Sequence, residues 1–238
     1  MQTRAIWQLG IYRNNHAGNY SRRFDKTAVA TNRHNPFIAM VLGITGGMGC
    51  GKSTAARIFE QFGFRRIDSD ALVRERVLLS PEVVAEARRR FGSGVVPPEL
   101  PQRIDRAALA RVIFASDTKR LEWEDYVLPR VFELWRGLLE SDRAARWVVE
   151  APLLFEKNLE NWFDFVICVA SSGATQLARL SARGVPRALA KPRISKQMPL
   201  SKKIEQADFV LSNDGSIDFL RDQIKHLLAT RLTPRATR

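Results

Sequence analysis

Six consecutive residues, Met40, Val41, Leu42, Gly43, Ile44 and Thr45, carry no charge and show no apolar–polar alternation. A short unbroken apolar run rich in branched side chains is buried on both faces, which predicts an inner parallel strand. Glycine-rich residues 46–51 follow. Ala55, Ile58, Phe59 and Phe62 then recur at i, i+3, i+4 and i+7, the spacing of a helix with one apolar stripe, and Gly63 is placed to end it. A second strand is predicted over 64–67, running into Asp68, Ser69 and Asp70. From about 78 to 146 the spacing is helical: Val83, Val84 and Ala87; Leu109, Val112 and Ile113; Val131, Leu134, Trp135 and Leu138. Glycines and prolines over 91–101 interrupt this stretch. Apolar strand-like runs return at 147–149, leading into Glu150, and at 165–170. A last strand over 209–211 and a helix over 217–230 close the pattern.

Strands alternating with helices predict an α/β fold, a three-layer parallel sheet core with helices on both faces. At 238 residues the chain is long enough to bury such a core without disulfides or metals. Residues 40–76, 147–170 and 208–238 read as core, 77–146 as a helical insertion, and 171–207 as a basic insert between two strands.

Charge sharpens this division. The net charge of +13 would suit a nucleic-acid binder if it covered one face. It is instead local: residues 1–39 carry +5 and residues 171–207 carry +7. The first segment has six Arg or Lys against Asp25 and no defensible periodicity, so a disordered basic tail is expected. It lacks the apolar stretch of a secretory signal, and a true start at Met40 is the simpler alternative to a weak transit peptide. A chain beginning at Met40 is then expected to fold and work. No apolar run approaches the ~18 residues of a membrane span. Cys50 and Cys168 have no partner at metal or redox spacing, so a reducing compartment, the cytoplasm, is expected. Three isolated histidines, His16, His34 and His226, exclude the HExxH zinc motif.

The informative chemistry lies in Gly46, Gly47, Met48, Gly49, Cys50, Gly51, Lys52 and Ser53, a full match to GxxxxGK[ST], followed by Thr54. A loop whose backbone amides converge on phosphates needs glycine where φ is positive or a Cβ would collide, and the helix that follows adds its positive end. Lys52 is placed to bridge the β and γ phosphates of ATP, and the Ser53 hydroxyl to ligate Mg²⁺. Cys50 fills a variable position. A dinucleotide-binding GxGxxG reading fails on the glycine spacing.

Such a loop does not by itself separate ATPases, GTPases and small-molecule kinases. No NKxD guanine motif is present, and the candidate strand ends in Glu150 rather than an Asp–Glu pair, which weakens a nucleic-acid-linked ATPase. Asp68 and Asp70 stand two apart at a strand end, where one could deprotonate an alcohol. The alternative is a helix N-cap with an acid in the first turn. The basic insert suits a lid whose arginines meet the γ phosphate on closure, or else a solvated loop.

Five runs in order, 43–54, 67–74 (IDSDALVR), 152–156 (PLLFE), the pattern Gln176, Arg179, Arg183, Arg193, Gln197, and 207–216 (ADFVLSNDGS), together resemble the dephospho-CoA kinase family over 40 to about 225. The resemblance implies a P-loop NTPase core, a helical CoA-binding insertion and a lid. It implies ATP-dependent phosphorylation of the ribose 3′-hydroxyl of dephospho-CoA, the last step of CoA synthesis, rather than a nucleotide or nucleoside kinase of the same architecture. By the same match Asp70 is the general base, Lys52 and Ser53 handle phosphate and magnesium, Asp68 and Arg74 serve the acceptor, Arg183 is the lid arginine, and Asn213 lies near adenine. Val73 and Leu128 depart from the family, which usually has Ala and commonly His there.

Overall fold

The computed structural model describes residues 11–13, 40–195 and 197–232. The chain divides into two compact units, one of residues 1–66 and 143–238, the other of residues 67–142.

The first unit holds the sheet. Its strands are β1 (Ile11–Arg13), β2 (Met40–Gly46), β3 (Phe64–Asp68), β4 (Arg146–Glu150), β5 (Phe165–Ala170) and β6 (Phe209–Ser212), in the order β1-β6-β5-β2-β4-β3. β2 is an inner strand, as its unbroken apolar run predicts. It pairs in parallel with β4 (Val41 opposite Trp147) and with β5 (Ile44 opposite Ile167), and β5 pairs in parallel with β6. Every residue of β2 is buried.

Alternate side chains of this strand face opposite ways. Leu42 and Ile44, with Val148, Val169 and Leu211, pack against Ala55, Ile58 and Phe59 of α1 (Lys52–Gln61) and Leu220, Ile224 and Leu227 of α9 (Ile217–Thr230). Gly43 faces the other way and is tightly covered: a Cβ there would lie 2.7 Å from the Phe163 ring and 2.8 Å from Leu154. α1 ends as expected, with Gly63 at φ +84° just past its C-cap.

One expectation for this unit changes. Within 1–39, residues Ile11–Arg13 form an antiparallel edge strand on β6, Tyr12 opposite Val210, a pairing that depends on partners distant in sequence. The rest of the expected disordered tail lies outside the described residues. The basic insert is ordered into α6 (Gly173–Ala182), α7 (Arg187–Ser195) and α8 (Leu200–Gln206), and it is not simply a solvated loop, because Lys203 is fully buried.

The second unit is helical: α2 (Ser69–Glu75), α3 (Pro81–Phe91), α4 (Arg106–Phe114) and α5 (Asp117–Ser141). α3 buries Val83, Val84 and Ala87 as predicted. α5 runs unbroken through Pro129, and its buried stripe is Trp123, Val127, Val131, Trp135 and Leu139, a strict four-residue repeat. Leu134 and Leu138, expected on that stripe, are half-buried and exposed. Trp123 and Trp135 are large enough to define the packed face, so the neighbouring leucines turn outward. Leu128, at the position where the family commonly has His, is half-buried on the same helix.

Candidate phosphate-binding site

β2, β5 and β6 are parallel neighbours, so their C-terminal ends lie along one edge of the sheet, and each delivers part of one site. β2 ends in the glycine loop, Ser171 follows β5, and Asn213 follows β6. The loop takes its shape from three left-handed glycines, Gly46 (φ +142°), Gly49 (φ +80°) and Gly51 (φ +91°). Space is equally restrictive. A Cβ on Gly46 would sit 2.2 Å from the Val169 carbonyl oxygen, and one on Gly51 would sit 2.1 Å from Asn213 Nδ2.

Lys52 opens α1, and its ammonium donates to the carbonyl oxygens of Gly46 at 3.3 Å and Gly47 at 3.0 Å. It therefore arches back over the loop. Ser53 and Thr54 follow on the first turn, half-buried, with the Thr54 amide donating to Gly51 O at 3.0 Å. Met48 is half-buried at the loop's crest.

The outward side of the loop is clamped. The Arg179 guanidinium, on α6, donates to Gly49 O and Cys50 O at 3.4 Å each, to Ser171 Oγ at 3.2 Å and to Asn213 O at 2.8 Å. Asn213 Nδ2 donates to Cys50 O at 2.8 Å, and Gln176 Nε2 to Ser171 O at 3.0 Å. In a trans peptide the amide hydrogen points opposite to the preceding carbonyl, so fixing Cys50 O turns the Gly51 amide away from the clamp. Such an array is prepared for an anion before one arrives.

These contacts revise how the site is staffed. Arg179, Gln176 and Ser171 touch the loop or its clamp, and sequence reasoning assigned them no individual role. The only hint was the Gln–Arg–Arg spacing on one helix face. Arg183, expected as the lid arginine, is exposed at the C-cap of α6. Asn213, expected near adenine, uses its side-chain nitrogen to hold the loop. Glu150, the acid at the end of β4, is buried and accepts from Arg66 Nε at 2.6 Å. Burial raises the Cys50 thiol and pushes Cys168 up to about 12, so neither is a thiolate at neutral pH. Cys50 is packing.

The Gly51–Asn213 contact gives a direct test. Gly51→Ala combines a left-handed backbone with a steric overlap, and is expected to cost roughly 3 kcal/mol of stability. Chemical denaturation would show it, and weakened ATP binding should accompany it.

In the second unit, Asp68 is the N-cap of α2 and accepts from the Ala71 amide at 2.9 Å. Asp70 is exposed in the first turn of the same helix, and Arg74 is half-buried in its last. The N-cap geometry is therefore real for Asp68. It leaves Asp70 as the exposed acid of the first turn.

Magnesium fits the donor set. It keeps several waters and takes few protein ligands beside phosphate oxygens, so one hydroxyl, that of Ser53, beside a phosphate cradle is sufficient. Among the described residues no cluster of three or more His, Cys, Asp or Glu could hold a metal alone.

The comparisons with known proteins bear on the family. The family model CoaE, dephospho-CoA kinase, matches residues 40–218. A dephospho-CoA kinase from Syntrophotalea carbinolica is 37% identical over 199 residues, spanning 82% of this chain and 93% of that protein. One from Chlorobaculum tepidum is 32% identical over 203 residues, spanning 82% and 97%. The crystal structure of TT1252 from Thermus thermophilus superposes with a TM-score of 0.71 at 34% identity, over 82% of this chain and 98% of that one. A parallel-sheet core, a glycine loop clamped for phosphate and a match running from the first inner strand into the last helix lead to one assignment: the chain belongs to the dephospho-CoA kinase family.

Proposed function

We propose that this enzyme transfers the γ-phosphoryl group of ATP to the ribose 3′-hydroxyl of dephospho-CoA, giving CoA and ADP. The preformed phosphate loop is the observation that carries the reading, and the family match supports the acceptor. The Asp70 carboxylate takes the proton of the 3′-hydroxyl as its oxygen attacks the γ phosphorus, and the bond to the ADP oxygen breaks. Lys52 and the loop amides meet the charge on the phosphates, where fixed donors are worth most. When bound, Mg²⁺ would neutralise phosphate charge, with the Ser53 hydroxyl as its protein ligand. Asp68 orders the start of α2 and so positions Asp70, while Arg74 and the helical unit serve the acceptor. Asn213, through its carboxamide oxygen, remains the candidate neighbour of adenine.

Residues 171–207 act as the lid, with Arg183 arriving at the γ phosphate on closure. The exposed position of Arg183 and the committed one of Arg179 divide the labour. Arg183→Ala is expected to lower kcat by about 10²-fold with little change in KM for ATP, because its contact forms only in the closed state. Arg179→Ala should instead raise KM for ATP and lower stability, since it disorders the loop. Steady-state kinetics on both variants separate these outcomes, and an Arg183 effect confined to KM would overturn its role.

The decisive assay measures ATP consumption with Mg²⁺ against dephospho-CoA, adenosine, AMP and pantetheine, without nucleic acid. Preference for adenosine or AMP would reassign the acceptor, and a requirement for nucleic acid would favour the ATPase reading. No helix among the described residues is long and apolar enough to cross a membrane. Two free, buried cysteines suit a reducing compartment, and the cytoplasm is the proposed location.

A further inference from the structure

Lys203 of α8 is 0% exposed, a rare place for an ammonium. Its Nζ donates to Pro152 O at 2.7 Å and pairs with Glu156 Oε1 at 2.8 Å. The same carboxylate oxygen accepts the Met198 amide at 3.0 Å. Pro152 O also accepts from Thr45 Oγ1 at 3.4 Å, and Thr45 is the residue before the first glycine of the phosphate loop. One charge pair, its lysine fully buried and its glutamate half-buried, thus ties together the end of β2, the loop after β4, the α7–α8 junction and α8.

Burying an ion pair costs several kcal/mol per charge, and apolar residues of similar volume often give equal or greater stability. What an apolar pair cannot supply is direction. Glu156 fixes one amide, that of Met198, and Lys203 fixes the carboxylate that does so. Met198 lies just beyond α7, at the point where the basic segment returns to the sheet. At the opposite root of that segment, Arg179 and Gln176 tie α6 to the phosphate loop and its neighbours. Residues 183–195 therefore lie between two fixed roots, one clamped by Arg179 and the other by Glu156–Lys203.

We propose that Lys203 and Glu156 are positioning residues for phosphoryl transfer: they anchor the C-terminal root of the lid, so that 183–195 closes from a fixed point and water is excluded when the γ phosphate is transferred. This rests on the lid reading of residues 171–207. Loss of the anchor should not abolish ATP binding. It should lower turnover and let water compete with the acceptor.

Two measurements test this. The first is hydrogen–deuterium exchange on the full chain, with and without Mg²⁺ and a non-hydrolysable ATP analogue. Amides of 183–195 should gain protection with nucleotide, while those of 198–203 stay protected throughout. Exchange across 183–195 that ignores nucleotide would overturn the lid reading itself. Nucleotide-dependent exchange in both segments would overturn the anchor alone. The second measurement uses the double variant Glu156→Leu/Lys203→Met, which removes both charges together and is expected to fold and melt within about 10 °C of the parent. Its kcat should fall about 10-fold, and the ratio of acceptor-independent ATP hydrolysis to transfer should rise about 10-fold. A folded double variant with parental kcat and parental coupling would sink the proposal. If that variant does not fold, the exchange experiment decides.

Discussion

Asp70→Asn is expected to lower kcat by about 10²–10⁴-fold while KM for ATP stays near the parent value. Asparagine keeps the size and polarity of the side chain but cannot accept the proton of the attacking hydroxyl. The fold should be indifferent, because Asp70 is an exposed first-turn residue and the cap of α2 is provided by Asp68. Loss of a favourable helix-dipole interaction costs only about 0.3–1 kcal/mol. Asp68→Asn is the control. Asparagine is as good an N-cap as aspartate, so α2 should persist and kcat should fall far less. Single-turnover kinetics with dephospho-CoA measure the difference. Near-normal turnover in the Asp70 variant, or a larger loss in the Asp68 variant, would move the base to another residue.

Lys52→Ala is expected to reduce kcat/KM by about 10³-fold or more. The ammonium is the positive charge that the loop motif itself carries, and it already rests 3.0 Å from Gly47 O, on the proposed phosphate loop. Alanine suits the first turn of α1, so stability should change by less than about 1 kcal/mol. Lys52→Arg should rescue little, since a planar guanidinium cannot occupy the space of a compact ammonium under a tight loop. Thermal melts with kinetics and an ATP-binding isotherm check both halves of this expectation. A Lys52→Ala enzyme with parental turnover would remove the loop from the reaction.

Local sequence carried some features and not others, and the division has a physical cause. The inner strand 40–45, the glycine loop and the stop at Gly63 depend on backbone sterics and on apolar runs a few residues long. α3 was legible for the same reason, since Val83, Val84 and Ala87 define its face without help. The stripe of α5 was legible only in part. Leu134 and Leu138 have the right spacing, but the neighbours supplied by the folded unit select Trp123, Trp135 and Leu139. Pro129 would ordinarily argue for a break, yet the buried side chains on either side hold the helix through it.

The candidate site divides in the same way. The glycine loop from Gly46 to Gly51, with Lys52 opening the helix behind it, could be read directly, because it is a local object made by one loop and the first turn of one helix. Asp68 and Asp70 were legible as a pair, and only the fold showed that Asp68 caps α2. Arg179 and Arg183 are equivalent on paper, two arginines four residues apart in one basic segment. Tertiary structure turns the first onto Gly49 and Cys50 and leaves the second in solvent. Lys203 had no individual reading within the basic segment, and its burial against Pro152 and Glu156 depends on residues about 50 positions away. The edge strand at Ile11–Arg13 likewise exists only against β6. The sequence by itself determined the phosphate loop, the parallel core and the family, because these rest on short-range sterics and motif order. Only the tertiary structure decided which arginine clamps the loop and where a buried ammonium belongs, because both depend on strand order, which sets the neighbours of each loop.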